Sequence, residues 1–86
     1  MRLRTEGLTW REIDGETVVL DLQASTYLST NGTGSFLLQQ LAEERTRDEL
    51  VDALVAEYEV DRPRAEADTD AFVATLREKG LLEGAS

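Results

Sequence analysis

The hydrophobic pattern of this chain changes its period once, near residue 30, and this change restricts the fold strongly. Before it, apolar and β-branched residues lie in short strand-like runs. After it, apolar residues recur every three to four positions, as they do on one face of a helix. Asp14-Gly15 separates the first two runs, and such a pair is typical of a type I′ hairpin turn. The pattern therefore predicts strands first and helices afterwards.

Three strands followed by three helices indicate an α+β domain of residues 1–86, in which the helices pack on one face of a three-stranded antiparallel sheet. Thr46 and Glu49 have the spacing of a capping box. Asp61 and Pro63 are typical of a helix start, and Gly80 of a helix end. The predicted strands are Leu8–Ile13, Thr17–Leu22 and Thr26–Ser29, and the predicted helices run from Thr30 or Asn31 to about Glu43, from Thr46 to about Tyr58 and from Asp61 to about Lys79.

The composition excludes several kinds of site. The 86 residues include no cysteine and no histidine, so there is no disulfide, and the commonest general base and metal ligand are missing. The net charge of −9 repels nucleic acid and anionic membrane surfaces. No apolar run approaches the length of about 20 residues that spans a membrane. We therefore expect a cytoplasmic protein without metal, cofactor, nucleic-acid or membrane partner.

No set of residues has the features of a catalytic site. The acidic pairs lie at predicted helix ends or on helix surfaces, where carboxylates interact with the helix dipole and with water. Catalytic carboxylates need burial to separate their pKa values, and the serines have no histidine partner. The sequence therefore predicts a binding protein with no catalytic residue rather than an enzyme.

The third predicted strand, Thr26–Ser29, is the last in the sheet, so one of its edges is expected to be unpaired. Tyr27 and Leu28 should lie on opposite faces of it. A free edge can bind an extended peptide through main-chain hydrogen bonds, while pockets for alternate side chains supply specificity. We therefore predict that the backbone of Thr26, Tyr27, Leu28 and Ser29 binds a peptide.

The third predicted helix offers a wall for such a peptide. Its core face contains Ala65, Thr69, Phe72 and Leu76, which are spaced by three or four residues. Val73 lies at the edge of this face, with Asp70 and Arg77 one turn before and after it. These three side chains are our predicted peptide contacts on the helix. The alternative is that Val73 is peripheral core and that Asp70 and Arg77 are solvated.

A winged-helix DNA-binding protein is a second interpretation of the same elements, because a short connection joins the first two helices. Its recognition helix would offer Arg62, Arg64, Arg77 and Lys79, but carboxylates lie among these cations. The net charge opposes this interpretation, since phosphate neutralisation dominates the affinity of proteins for DNA.

The combination of motifs resembles the PqqD-like family, the RiPP precursor peptide recognition elements. The resemblance covers the chain from about Leu8 to Leu82. It rests on the order and spacing of the strands, of Tyr27-Leu28-Ser29-Thr30-Asn31-Gly32-Thr33-Gly34, of Thr46-Arg47-Asp48-Glu49-Leu50-Val51, of the stretch from Ala67 to Leu76 and of Gly80-Leu81-Leu82.

The resemblance implies a winged helix–turn–helix fold that binds the leader segment of a ribosomally made precursor peptide as an added strand beside the third strand, against the third helix. The compact free-standing form and the pattern Leu20-Asp21-Leu22 followed by Thr26-Tyr27-Leu28 most resemble the split B protein of lasso-peptide pathways, which delivers the precursor to a separate leader peptidase. The alternative within the family is PqqD proper, which serves a radical SAM enzyme. A homodimer through the free edge is a further expectation.

Overall fold

The computed structural model describes residues 1–84, except for the side chain of Asn31. Three main strands and three helices form in the predicted order, and two short strands join the ends of the described chain. The elements are β1 (Arg2–Leu3), β2 (Leu8–Ile13), β3 (Glu16–Asp21), β4 (Thr26–Asn31), α1 (Thr33–Gln40), α2 (Arg47–Tyr58), α3 (Arg62–Glu78) and β5 (Leu82–Glu83). The predicted fold class is confirmed.

The main sheet is antiparallel in the order β2-β3-β4. Ile13 pairs with Glu16, so that only Asp14 and Gly15 form the turn between β2 and β3. Their φ angles of 51° and 80° are both positive, as a type I′ turn requires. The predicted hairpin is therefore correct.

The start of the first helix differs from the prediction. β4 continues to Asn31, and Gly32 occupies the N-cap position of α1 with a φ of 57° and no side-chain cap hydrogen bond. The predicted caps at Thr30 and Asn31 therefore lie two positions and one position too early, and the Asn31 side chain is outside the described part of the structure. A positive φ is readily available to glycine, which explains why the chain turns from strand to helix at Gly32.

The first helix also ends earlier than predicted, at Gln40 rather than near Glu43. The amides of Ala42 and Glu43 donate to the carbonyls three residues before them, at 3.2 and 3.4 Å. Bonds of this kind belong to a tighter 3₁₀ turn, which is common at the C-terminal end of an α-helix.

The other two helices begin as predicted. Thr46 and Glu49 form the reciprocal capping box, with the Thr46 amide donating to the Glu49 carboxylate at 2.8 Å. The Asp61 side chain accepts a hydrogen bond from the Arg64 amide, and Pro63 lies in the first turn of α3. Both caps satisfy backbone donors that a helix leaves unpaired at its start.

The core lies between the inner face of the sheet and the three helices. Its largest fully buried apolar side chains are Val19, Leu37, Leu38, Leu41, Leu50, Val51, Leu54 and Leu76. The buried residues of α3 are Ala65, Thr69, Val73 and Leu76, whereas Phe72 is only half-buried against the core. Val73 therefore belongs to the core, where it is 7% exposed.

Candidate functional site

The edge of β4 is open. β4 pairs with β3 from Thr26 to Asn31, and within residues 1–84 no strand pairs with its other edge. Backbone N–H and C=O groups at such an edge are available to another extended chain. The predicted free edge is thus present, and it is longer than the four residues expected.

The two faces of β4 differ in burial. Leu28 packs against the core cluster, whereas Tyr27 is 66% exposed on the other face. Tyr27 lies opposite Leu20 in the register of β3 and β4, and Leu20 is also exposed. A peptide strand added to β4 would therefore place alternate side chains toward the helices and toward this outer face.

A groove lies between the end of β4, the start of α1 and one side of α3. We call it the β4 groove, and its volume is about 510 Å³. Arg64 and Asp68 lie on its wall and form a long ion pair of 3.9 Å. The groove brings together small, hydroxylated and aromatic side chains from three elements. These lining residues include Thr30, Thr33, Gly34, Ala71, Phe72 and Thr75.

Gly34 allows these elements to approach closely. A Cβ atom at this position would lie 1.9 Å from Thr30 Oγ1 and 3.2 Å from Phe72 Cε1. The first distance is far inside van der Waals contact, so the corner between strand and helix depends on glycine.

The predicted helix contacts Asp70, Val73 and Arg77 lie together in a different place. With Met1, Arg47 and Ala74 they line what we call the second pocket, which has a volume of about 310 Å³. None of its lining residues belongs to β4. Two residues along an α-helix rotate the side-chain direction by about 200°, so Thr75 in the β4 groove and Arg77 in the second pocket point to nearly opposite sides of α3.

An ion pair fixes one wall of the second pocket. Arg47 donates to both carboxylate oxygens of Asp70, from Nε and Nη2, each at 2.8 Å. These hydrogen bonds, opposed by desolvation, hold the pKa of Asp70 below its ordinary value and raise that of Arg47. Two bonds in one plane give the pair a defined geometry, so Arg47 and Asp70 join α2 to α3 at this point.

The structure thus brings the predicted strand residues to an open edge and the predicted helix residues to the opposite flank of α3. Sequence reasoning missed Ala71, Phe72 and Thr75 as groove residues. The helical pattern of α3 identified its buried face, and both flanks of that face were candidates. No finding tests whether Asp70, Val73 and Arg77 contact a peptide, and their contact stays a prediction.

The described residues contain neither a cluster suited to a metal ion nor a helix suited to a membrane. In this part of the chain no group of three or more cysteine, aspartate or glutamate side chains could hold a metal ion. None of the helices between residues 1 and 84 has the length and the apolar character needed to cross a membrane.

Comparison with known proteins points to one family. The family model of coenzyme PQQ synthesis protein D, PqqD, matches residues 16–82. The solved structure of TbiB1 in complex with the TbiA(beta) leader peptide is 40% identical, with a TM-score of 0.86 over 100% of this chain and 99% of that one. Lasso peptide synthetase B1 complexed with the leader peptide is 31% identical, with a TM-score of 0.81 over 96% of both chains. No match was found among the curated proteins.

Proposed function

Since this chain belongs to the family of coenzyme PQQ synthesis protein D, we propose that it binds the leader segment of a ribosomally made precursor peptide. The observation that carries the proposal is the open edge of β4, which lies beside a groove against α3. Both similar solved structures contain a leader peptide, and their chains match this one over nearly its whole length.

The leader adds as a fourth strand to the main sheet. Its main chain pairs with Thr26, Tyr27, Leu28 and Ser29, and this pairing supplies affinity that does not depend on the leader's side chains. Alternate leader side chains point inward, toward the β4 groove, where Phe72 offers an apolar surface. The remaining side chains lie on the outer face, beside Tyr27.

The helix wall of this site is the flank of α3 that carries Ala71, Phe72 and Thr75. These residues share the β4 groove with Thr30, at the end of the open strand. On the other flank, the second pocket with Asp70 and Arg77 has no lining residue from β4. The geometry therefore favours the first flank as the peptide contact.

The bound leader is delivered to a separate leader peptidase in lasso-peptide maturation, and this chain contributes no catalytic residue. The similarity to the two B1 structures, at 40% and 31% identity over nearly full length, supports this role. The second candidate is a PqqD-type chaperone for a radical SAM enzyme, and the match to the PqqD family model supports it. In both roles the chain works in the cytoplasm as a peptide carrier.

Titration of the purified chain with a synthetic leader peptide tests the proposal. The leader comes from the precursor gene that neighbours the gene of this chain, and a scrambled peptide of the same composition is the control. We expect a Kd in the micromolar range or tighter, equivalent to about 8 kcal/mol at 1 µM, and no binding of the scrambled peptide. Equal binding of both peptides, or of neither, would refute leader recognition.

A further inference from the structure

The second pocket has an apolar floor and reaches an exposed arginine that forms no ion pair within the described residues. Among residues 1–84, Arg2, Arg4, Arg45, Arg47, Arg62 and Arg64 each form an ion pair with a carboxylate. Within that range no carboxylate pairs with Arg11, Arg77 or Lys79. Of these three cations, Arg77 alone lines the second pocket, so this pocket combines an apolar floor with an available guanidinium.

The floor and the walls of the pocket are well defined. Val73 is a core residue and Met1 is buried, so both present apolar surface from fixed positions. Ala74 is exposed and leaves the mouth open, because its side chain is small. The bidentate pair of Arg47 and Asp70 holds the remaining wall. A pocket that is already formed loses little conformational entropy when a ligand enters it.

We propose that the second pocket binds a segment of the enzyme that processes the leader, with an apolar side chain in the pocket and an adjacent carboxylate paired with Arg77. This proposal rests on the proposed function, since a carrier must contact its peptide and its enzyme at the same time. The second pocket shares no lining residue with the β4 groove. Both ligands can therefore be bound together.

Charge complementarity selects the occupant. The chain has a net charge of −9, which repels an acidic partner from most of its surface. Arg77 instead attracts an acidic partner, because this guanidinium has no carboxylate partner among the described residues. An arginine accepts a carboxylate through two parallel hydrogen bonds, and charged contacts at the rim of an interface determine its specificity and its dependence on salt. An apolar side chain beside a carboxylate fits both features of the pocket.

The test uses the full chain, the fluorescein-labelled leader and the purified leader peptidase from the same gene neighbourhood. Arg77→Glu reverses the free charge, and Ala74→Trp fills the mouth of the pocket. Lys79→Glu is the matched control, because it makes the same change of charge at an exposed cation two residues away on the chain. Leader binding is measured by anisotropy, and binding of the peptidase to the chain–leader complex by interferometry. Thermal melts verify that each variant is folded.

We expect Arg77→Glu and Ala74→Trp to weaken peptidase binding by about tenfold or more, with a Kd for the leader that changes by less than about twofold. Lys79→Glu should leave peptidase binding within about threefold of the wild type. Raising the salt concentration should weaken peptidase binding more for the wild type than for Arg77→Glu. Salt screens the ion pair between Arg77 and the peptidase carboxylate, and the variant lacks this pair.

Four outcomes would overturn the proposal. The first is peptidase binding that is unchanged in both pocket variants, and the second is a wild-type complex that does not bind the peptidase at all. The third is a loss of leader affinity in Arg77→Glu, which would assign the pocket to the peptide. The fourth is a wild-type protein that is dimeric by light scattering while Arg77→Glu is monomeric, which would make a second copy of the chain the occupant of the pocket. Failure of the proposed function is distinct, because the wild type would then not bind the leader.

Discussion

At the scale of single residues, Gly34 connects the fold to the site. Glycine is not required here by the backbone, since Gly34 lies within α1 and does not have a positive φ. It needs space, because Thr30 and Phe72 occupy the volume that a side chain would take. The same two residues line the β4 groove. A substitution here therefore changes both the stability of the corner and the shape of the site.

Gly34→Ala should destabilise the protein by about 1–2 kcal/mol. Alanine improves helix propensity by about 1 kcal/mol, but overpacking of a tight contact costs about 1–3 kcal/mol or more. The distance of only 1.9 Å from the added Cβ to Thr30 Oγ1 favours the larger cost. Urea unfolding measures the difference. In the double variant Thr30→Ala/Gly34→Ala the overlapping hydroxyl is gone, so the two substitutions should be less harmful together than their sum. A single variant as stable as the wild type would contradict this explanation.

At the scale of elements, the parts that the sequence predicts correctly are those determined by local chemistry. The Asp14-Gly15 turn and the Thr46 capping box depend on neighbours within four residues, and both form as predicted. The flank of α3 that faces β4 depends instead on how the helix is placed against the sheet. The helical period gives the buried face and its two flanks, but both flanks have the same period. For this reason the sequence predicts contacts at Asp70 and Arg77, whereas Ala71 and Thr75 lie on the flank that shares a groove with Thr30 of β4.

Proline scanning of β4 tests strand addition. The amides of neighbouring residues in a strand point to opposite edges, so one of Tyr27 and Leu28 donates toward β3 and the other toward the open edge. Of Tyr27→Pro and Leu28→Pro, one should lower the melting temperature, and the other should keep the fold. The folded variant loses about one main-chain hydrogen bond to the leader, or about 1 kcal/mol, which raises the Kd about fivefold. Unchanged leader affinity in a folded proline variant would place the peptide elsewhere.

A matched pair of tryptophan substitutions decides which flank of α3 contacts the leader. Ala71 and Ala74 are both exposed positions of α3, and each lines only one of the two pockets. Ala71→Trp should obstruct the β4 groove and weaken leader binding by about tenfold or more, whereas Ala74→Trp should leave it within about twofold. Fluorescence anisotropy with the labelled leader gives both values. The reverse order of effects would support the contacts predicted at Asp70, Val73 and Arg77.

At the scale of the whole molecule, contacts distant in sequence complete the fold. β1 pairs with β5, with Leu3 opposite Leu82, and the Leu3 amide donates to the Leu41 carbonyl at 2.9 Å. Strands of two residues carry no periodic pattern, and these two are separated by almost the entire chain. They were not predicted, because neither segment has enough residues to indicate a strand.

The total charge also acts on the whole molecule, and it distinguishes peptide binding from DNA binding. Although the elements follow a winged-helix order, a net charge of −9 opposes the approach of a duplex. We expect no mobility shift of a DNA duplex even at low salt, where electrostatic binding is strongest. The labelled leader in the same buffer is the positive control. A shift that disappears as salt is added would restore the DNA-binding interpretation.

Asp21 joins three distant parts of the chain. Its side chain, 3% exposed at the end of β3, forms an ion pair of 2.8 Å with Arg4. Arg4 also donates to the carbonyl of Gly80, which follows α3 in the sequence, at 2.7 Å. Asp21 accepts hydrogen bonds from the amides of Gln23 and Ala24 as well. Burial opposes its ionisation, but the hydrogen bond from the Ala24 amide and the nearby charge of Arg4 prevail and hold the pKa of Asp21 below its ordinary value.

Asp21→Asn should therefore flatten the dependence of stability on acid pH. A carboxylate whose pKa is lower in the folded state binds its proton more readily when the chain unfolds. Its contribution to the free energy of unfolding is complete above the ordinary pKa of 3.8 and is lost as the pH falls through the lower pKa of the folded state. Urea midpoints measured from pH 6 down to about pH 2 should fall less steeply for the variant. At neutral pH the variant should be less stable than the wild type, because the amide cannot replace the ion pair with Arg4. Arg4→Met removes the arginine partner of Asp21 but keeps the hydrogen bonds from the Gln23 and Ala24 amides, so it should flatten the dependence of stability on pH only in part. Equal acid slopes in the wild type, Asp21→Asn and Arg4→Met would show that Asp21 is not the titrating group.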